Sequence, residues 1–275
     1  GRHCYFRYRR AVPFLPFDED SEIKMLSLTI ENLSFSVRGR DILKDINVSY
    51  MENQMSAILG RNGAGKTTFI KCIAGMQPHG GKVTLRNGKQ KLDRTSIAYL
   101  PQLEKVTSSL TAFEIVLLGL TKNLTWNVSD EQLEKVSKII HELKLDNLSD
   151  QPVRSLSGGQ KQLVFLAQAF VSEPKLLLLD EPTSALDIRH QLVVMETVAE
   201  YCQSKNAIAL YVVHDLMLAS RFSDSVLFLN NGTMHAFDHP ESVLNSQTID
   251  PIYNIESLIE KNSCGLMTLT PLKPL

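Results

Sequence analysis

Gly60 to Thr68 reads Gly-Arg-Asn-Gly-Ala-Gly-Lys-Thr-Thr, and no other stretch restricts the possible folds as much. Gly60, Gly65, Lys66 and Thr67 satisfy the phosphate-loop spacing G-x-x-x-x-G-K-[ST]. Glycines let the backbone wrap closely, so that successive N–H groups point inward at an anion. The loop Gly60, Arg61, Asn62, Gly63, Ala64, Gly65, Lys66, Thr67 and Thr68 is therefore assigned to phosphate contact. Lys66 offers a point charge to the β- and γ-phosphates, and the Thr67 hydroxyl offers a ligand to Mg²⁺. Such a loop needs a strand before it and a helix after it. Met55 to Leu59 is mostly apolar and strand-like. Thr67 to Ala74 repeats apolar residues at helical spacing and stops at Gly75, so the helix dipole faces the anion.

The rest of the chain supplies the surroundings. Leu26 to Val37 alternates around Leu33 and Phe35, and Ile42-Leu43, Ile46 to Tyr50 and Lys82 to Leu85 continue the strand pattern, with Asn87-Gly88 as a hairpin turn. These predict a small antiparallel sheet. Ser96 to Leu100 is a short apolar strand that ends in Pro101-Gln102. Helices are expected over Leu110 to Leu120, over Asp130 to Leu143 with Ser129 or Asp130 at its start, and from about Gly158 to Phe170. Lys175 to Asp180 and Ala207 to Val213 read as strands buried on both faces of a parallel sheet, with a helix over Ile188 to Cys202 between them. A hairpin spans Ser225 to His235 and turns at Asn231-Gly232, and helical pieces are expected after Pro240. The alternation gives an α/β doubly wound core with a helical insertion around residues 103–172.

Composition narrows the function. With 43% hydrophobic and 21% charged residues among 275, the chain can bury a large core. Its net charge of −1 argues against wholesale electrostatic binding to nucleic acid, though not against a local basic patch, and nucleic acid is not an expected partner. Cys4, Cys72, Cys202 and Cys264 lie far apart, which suits reduced thiols rather than a disulfide framework or a zinc site. The best apolar run, Leu110 to Leu120, is too short for a membrane span and is broken by Glu114. Residues 1–24 are basic and aromatic, then proline-bearing, then acidic, and read as a poorly ordered leader, with Met25 as a plausible native start.

Further motifs keep company with the loop. Leu156-Ser157-Gly158-Gly159-Gln160 opens a helix; Leu176 to Leu179 runs into Asp180-Glu181-Pro182-Thr183; Ser184-Ala185-Leu186-Asp187 follows at once. Gln102 follows Tyr99-Leu100-Pro101, and His214 follows an apolar strand. They match the signature, the Walker B segment, the D-loop, the Q-loop and the switch histidine of the ATP-binding cassette (ABC) ATPases. Over residues 26–240 the chain resembles that family. The resemblance implies a P-loop NTPase fold with a RecA-like parallel-sheet core, a small antiparallel β subdomain and an inserted helical subdomain, in one ATP-binding domain over 25–275.

It also implies roles. Asp180, ending a buried strand near the phosphate loop, would hold Mg²⁺ together with Thr67 and Gln102. Glu181 is the candidate general base for the attacking water, His214 contacts the γ-phosphate, and Lys66 and Gln102 complete the catalytic set. Ser157, Gly158, Gly159 and Gln160 form a second anion site at a helix start. One chain cannot easily bring both anion sites to one γ-phosphate. The family's answer is a head-to-tail dimer with ATP between one loop and the other copy's signature. The family often places an aromatic residue against adenine; that position here holds Val37, with Phe35 two residues earlier.

The chain has one uninterrupted cassette, no long heptad runs and no membrane segment, which favours a transport ATPase serving a separate integral membrane permease and, indirectly, a substrate-binding protein. Its expected place is the cytoplasmic face of the inner membrane. Ser108 to Leu120 and His239 to Leu244 are similar to ATPases of iron–siderophore, haem and cobalamin uptake, and iron–siderophore is the expected cargo. An arginine commonly follows the glycine corresponding to Gly119; here Leu120 does. Haem, cobalamin, zinc, manganese or molybdate import, lipoprotein release and a non-transport ABC ATPase are the alternatives.

Overall fold

Three short strands have every position buried: β3 (Met55–Leu59), β7 (Leu176–Asp180) and β8 (Ile208–Val212). They form the middle of a six-stranded sheet in a computed structural model that describes residues 25–103, 106–120, 128–263 and 266–275. The stretch 1–24 and Cys264 lie outside the described residues. The other strands of this sheet are β6 (Ile97–Leu100), β9 (Ser225–Asn230) and β10 (Thr233–Asp238), in the order β10-β9-β3-β8-β7-β6. Pairing is parallel from β9 through to β6, and only edge strand β10 runs antiparallel.

Two-sided burial follows from the side-chain alternation of a strand. Ala57, Leu59, Leu177, Leu179, Ala209, Tyr211 and Phe228 point into one apolar cluster. Ile58, Leu176, Leu178, Ile208, Leu210 and Leu227 point into another. The first face is covered by helices, chiefly α4 (Gly158–Phe170) and α5 (Ile188–Lys205), through residues such as Val164, Phe170, Val194 and Val198. The second face is covered by α1 (Lys66–Ile73) and by an antiparallel sheet. That sheet has the order β2-β1-β4-β5, from β1 (Leu26–Val37), β2 (Arg40–Met51), β4 (Gly80–Asn87) and β5 (Gln90–Lys91). Each fully buried leucine contributes roughly 1.5–3 kcal/mol. The four consecutive leucines of β7 are satisfied by two cores at once.

Between β6 and β7 the described residues form α2 (Ala112–Leu118), α3 (Asp130–Glu142) and α4, with short turns between them. Each is started by a capping box: Thr111 with Glu114, Ser129 with Gln132, and Ser157 with Gln160. Thr111 therefore starts the first helix later than the apolar pattern beginning at Leu110 suggests. No helix among the described residues is long and apolar enough to cross a membrane.

The C-terminal tail corrects the expectation of helical pieces alone. Two short helices, α7 (Pro240–Val243) and α8 (Ser246–Tyr253), are followed by an antiparallel hairpin of β11 (Ile255–Lys261) and β12 (Met267–Pro274). Ile255, Ile259, Met267 and Leu269 pack against the helical core, while Leu258, Glu260, Thr270 and Leu272 stay exposed. That is period-two patterning, so the strand signal was present in the sequence. A second unexpected element is α6 (Leu216–Phe222), started by Asp215, whose carboxylate accepts from Met217 N and Leu218 N.

α2 meets α4 with no room for a side chain between them. A Cβ placed at Gly119 would lie 2.1 Å from the Gln168 carbonyl oxygen. Gly119→Ala is expected to lower stability by about 1–3 kcal/mol, as overpacking does, read as a lower urea midpoint at unchanged m-value. A midpoint equal to wild type would show that the two helices separate freely.

Candidate active site

The phosphate loop begins where β3 ends. Gly60 has φ +142° and a Cβ there would fall 2.2 Å from the Leu229 carbonyl oxygen of β9. Gly65 has φ +100°, and a Cβ there would meet Leu43 Cδ2 at 2.8 Å. The loop is thus gripped between the two sheets at positions only glycine can fill. It delivers α1 without a side-chain cap, in contrast to α2 to α6 and α8, which all have one. The first N–H groups of α1 are left to an anion.

Lys66 is only 6% exposed, and its Nζ donates to the carbonyls of Gly60 (2.8 Å) and Arg61 (3.1 Å). Burial pushes its pKa below the ordinary lysine value, while the nearby carboxylates of Glu181 and Asp180 work in the opposite direction.

Asp180 closes β7 and is 4% exposed. Its Oδ1 accepts from the Thr67 hydroxyl at 3.0 Å and its Oδ2 from the Tyr99 hydroxyl at 3.3 Å. Burial raises its pKa above the usual carboxylate range, and the bonds from Thr67 and Tyr99 pull it back in part. Hydroxyl, carboxylate and amide carbonyl are the hard oxygen donors that Mg²⁺ prefers, and Thr67, Asp180 and Gln102 supply one of each. Among the described residues no group of three His, Cys, Asp or Glu stands ready to hold a metal alone. The residues fit a cation that takes its remaining ligands from phosphate and water.

Glu181 has φ +50°, a left-handed conformation that a glutamate rarely adopts. Its carbonyl accepts from both the backbone N–H (3.1 Å) and the hydroxyl (3.0 Å) of Ser184, which holds the turn. Its carboxylate is clamped on both sides. Gln102 Nε2 donates to Oε2 at 2.9 Å, and His214 Nε2 meets Oε1 at 2.8 Å. The histidine leaves β8 just before α6, so that helix fixes its direction. Two segments far apart in sequence converge on the one carboxylate.

The structure thus brings Lys66, Thr67, Gln102, Asp180, Glu181 and His214 together. The signature residues are held differently. Ser157 and Gln160 spend their side chains on each other's backbone, and Gly158 and Gly159 face Leu186 and His190. Val37, at the end of β1, is 45% exposed, whereas Phe35 is half-buried against the second core. The sequence reading passed over Tyr99, whose aromatic place in β6 beside Gln102 was the available signal, and over Ser184.

An uncapped helix start facing a clamped carboxylate is equipment for cleaving a nucleotide's terminal phosphate: a P-loop nucleotide hydrolase. The protein-family model described as "ABC transporter" matches residues 43–184. The ABC transporter ATP-binding protein MJ0089 of Methanocaldococcus jannaschii is 35% identical, over 91% of this chain and all of that one. The hemin import ATP-binding protein HmuV of Rhizobium meliloti is 35% identical, over 81% of this chain and 89% of its own. The iron(3+)-hydroxamate import ATP-binding protein FhuC of Bacillus subtilis is 32% identical, over 86% and 90%. Among solved structures, a metal-chelate-type ABC transporter in an inward-facing conformation superposes with a TM-score of 0.79 at 26% identity, covering 90% of this chain and 98% of that one. The chain belongs to the ABC transporter ATP-binding family, and it is an ATPase.

Asp180 carries a testable cost. Because its folded pKa lies above its unfolded one, its contribution is most favourable at low pH and is lost as pH rises through the folded value. Asp180→Asn is expected to raise the Tm of nucleotide-free, Mg²⁺-free protein at pH 7 by about 2–4 °C, the shift that ~1 kcal/mol gives at this size. The gap should shrink as pH falls towards the carboxylate range. The variant should also lose the stabilisation that ATP with Mg²⁺ adds over ATP alone; retaining it would remove Asp180 from the metal site.

Proposed function

We propose that the chain is the motor subunit of an importer. Two copies close head to tail on ATP and drive uptake of an iron–siderophore-type substrate through a separate integral membrane permease, fed by a substrate-binding protein. The cassette works peripherally, at the cytoplasmic face of the membrane. The observation that carries the hydrolytic part is the clamp of Gln102 and His214 on Glu181.

Each step falls to a named group. The loop N–H groups from Gly60 to Thr68 receive the phosphates, and Lys66 exchanges the carbonyls of Gly60 and Arg61 for phosphate oxygens. Thr67, Asp180 and Gln102 would hold Mg²⁺, which supplies charge neutralisation at the phosphates when bound. Glu181, held in one orientation from both sides, takes the proton of the attacking water. His214 keeps that carboxylate in place and reaches the γ-phosphate. Ser157, Gly158, Gly159 and Gln160 present the N-terminus of α4 to the nucleotide of the second copy, closing the sandwich. With Val37 at the base position, the adenine is held loosely or by Phe35.

Gln102 sits at the junction between the sheet edge and the helices α2 to α4. Movement of those helices is the route by which closure reaches the permease. The cargo assignment rests on the likeness to FhuC, with the metal-chelate-type transporter structure in support. The likeness to HmuV favours haem as the second reading.

Glu181→Gln is expected to lower kcat by roughly 10²–10⁴-fold while ATP affinity is kept, and to accumulate as an ATP-bound dimer in light scattering. Normal turnover would remove Glu181 from its role, and a monomer at saturating ATP would remove the dimer. Co-purification from gently solubilised membranes should bring down a polytopic permease. Ribosomes or DNA in its place would end the transport reading.

A further inference from the structure

Gly159 is a glycine for a reason that its own helix does not supply. Its φ is not positive, and the backbone of α4 accepts any residue there. What excludes a side chain is His190. A Cβ built on Gly159 would lie 2.1 Å from His190 Cδ2 and 2.5 Å from Cγ, so the imidazole occupies the space where a side chain would stand. The ring is anchored from the other side by Asp187. One oxygen of that carboxylate accepts from the His190 backbone N–H at 2.9 Å, and the other meets Nδ1 at 2.8 Å. A carboxylate only accepts, so Nδ1 carries the proton and the ring has one orientation. These bonds hold the Asp187 carboxyl below its ordinary range.

The other end of this arrangement is Glu181. From Glu181 to Asp187 the chain is a run of tight turns. Ser184 donates twice to the Glu181 carbonyl, Leu186 N reaches the Thr183 carbonyl at 3.4 Å, and Ala185 sits at φ +59°. The turns held at the Glu181 backbone carbonyl therefore lead along the chain to Asp187, and from there His190 reaches the start of α4.

We propose that His190 is a positioning residue: its imidazole, anchored by Asp187 and seated on Gly159, sets the distance between the turn carrying Glu181 and the helix start opened by Ser157. The consequence rests on the head-to-tail dimer. Within one chain, Glu181 serves its own nucleotide and Ser157 to Gly159 serve the other copy's, so a fixed spacer between them ties the two ATP sites together.

The test uses the whole chain, with His190→Ala and His190→Asn, the latter restoring a donor near the Nδ1 position. His190→Ala is expected to cut kcat by roughly 10–100-fold, as small displacements of catalytic groups do, with the binding of ATP to the monomer unchanged. In the Glu181→Gln background it should weaken the ATP-dependent dimer seen by light scattering. His190→Asn should recover most of both. Gly159→Ala, which drives the ring off its seat, should reproduce the loss, and the pair Gly159→Ala with His190→Ala should be clearly less than additive. Unchanged kcat in His190→Ala, equal losses in the Ala and Asn variants, or strict additivity of the pair would overturn the assignment and leave His190 as packing. If the Glu181→Gln protein with native His190 stays monomeric, the dimer reading fails by itself; the kcat comparison and the double-mutant cycle still decide the positioning role.

Discussion

Covering a parallel sheet on both faces leaves its chain only one place to meet water, the ends of its strands. β3, β7 and β8 have every side chain buried, so polar chemistry is displaced to where they stop. β3 stops at Gly60, β7 at Asp180 and Glu181, and β8 just before His214. Because the three strands are parallel neighbours, all these residues emerge on one edge. The site is thus a by-product of the cores. Thinning either apolar cluster would loosen the strands that aim the catalytic groups, without touching one of them.

The charges on that edge are poised against one another. Burial lowers the pKa of Lys66 and raises that of Asp180, so each would be better off neutral by itself. The carboxylates of Glu181 and Asp180 favour the charged form of Lys66, and Lys71 favours that of Asp180, whereas Glu181 opposes it. Tyr99 and Thr67 steady Asp180 with hydrogen bonds, and Gln102 and His214 do the same for Glu181. A polyanion with its cation completes a set of charges that the chain balances only in part. Site and ligand are complementary in electrostatics as much as in shape.

Much of this was legible in the sequence because its signals are local. The phosphate loop, the leucine strand and the hairpin turns at Asn87-Gly88 and Asn231-Gly232 are written in adjacent residues. The tail was misread for want of spacing. Ile255, Ile259, Met267 and Leu269 alternate, but the pattern is interrupted by charged residues and is short enough to pass for fragments of helix. α6 is seven residues long, too brief for its period to stand out beside the motif that precedes it. The contacts of Tyr99 with Asp180 and of His190 with Gly159 join positions far apart in sequence, and no local rule reaches across such gaps. The shape of Gly159 is legible only once its neighbour is seen.

The bare N-terminus of α1 has a bearing on the life of the protein in the cell. A helix that leaves its first amide groups to an anion is finished only when the nucleotide arrives. Any ligand that prefers the folded chain shifts the folding balance by mass action, by RT ln(1 + [L]/Kd). Cellular ATP therefore acts on this protein as fuel and as folding cofactor together. Withdrawing nucleotide from the site removes a contribution to folding as well as the fuel.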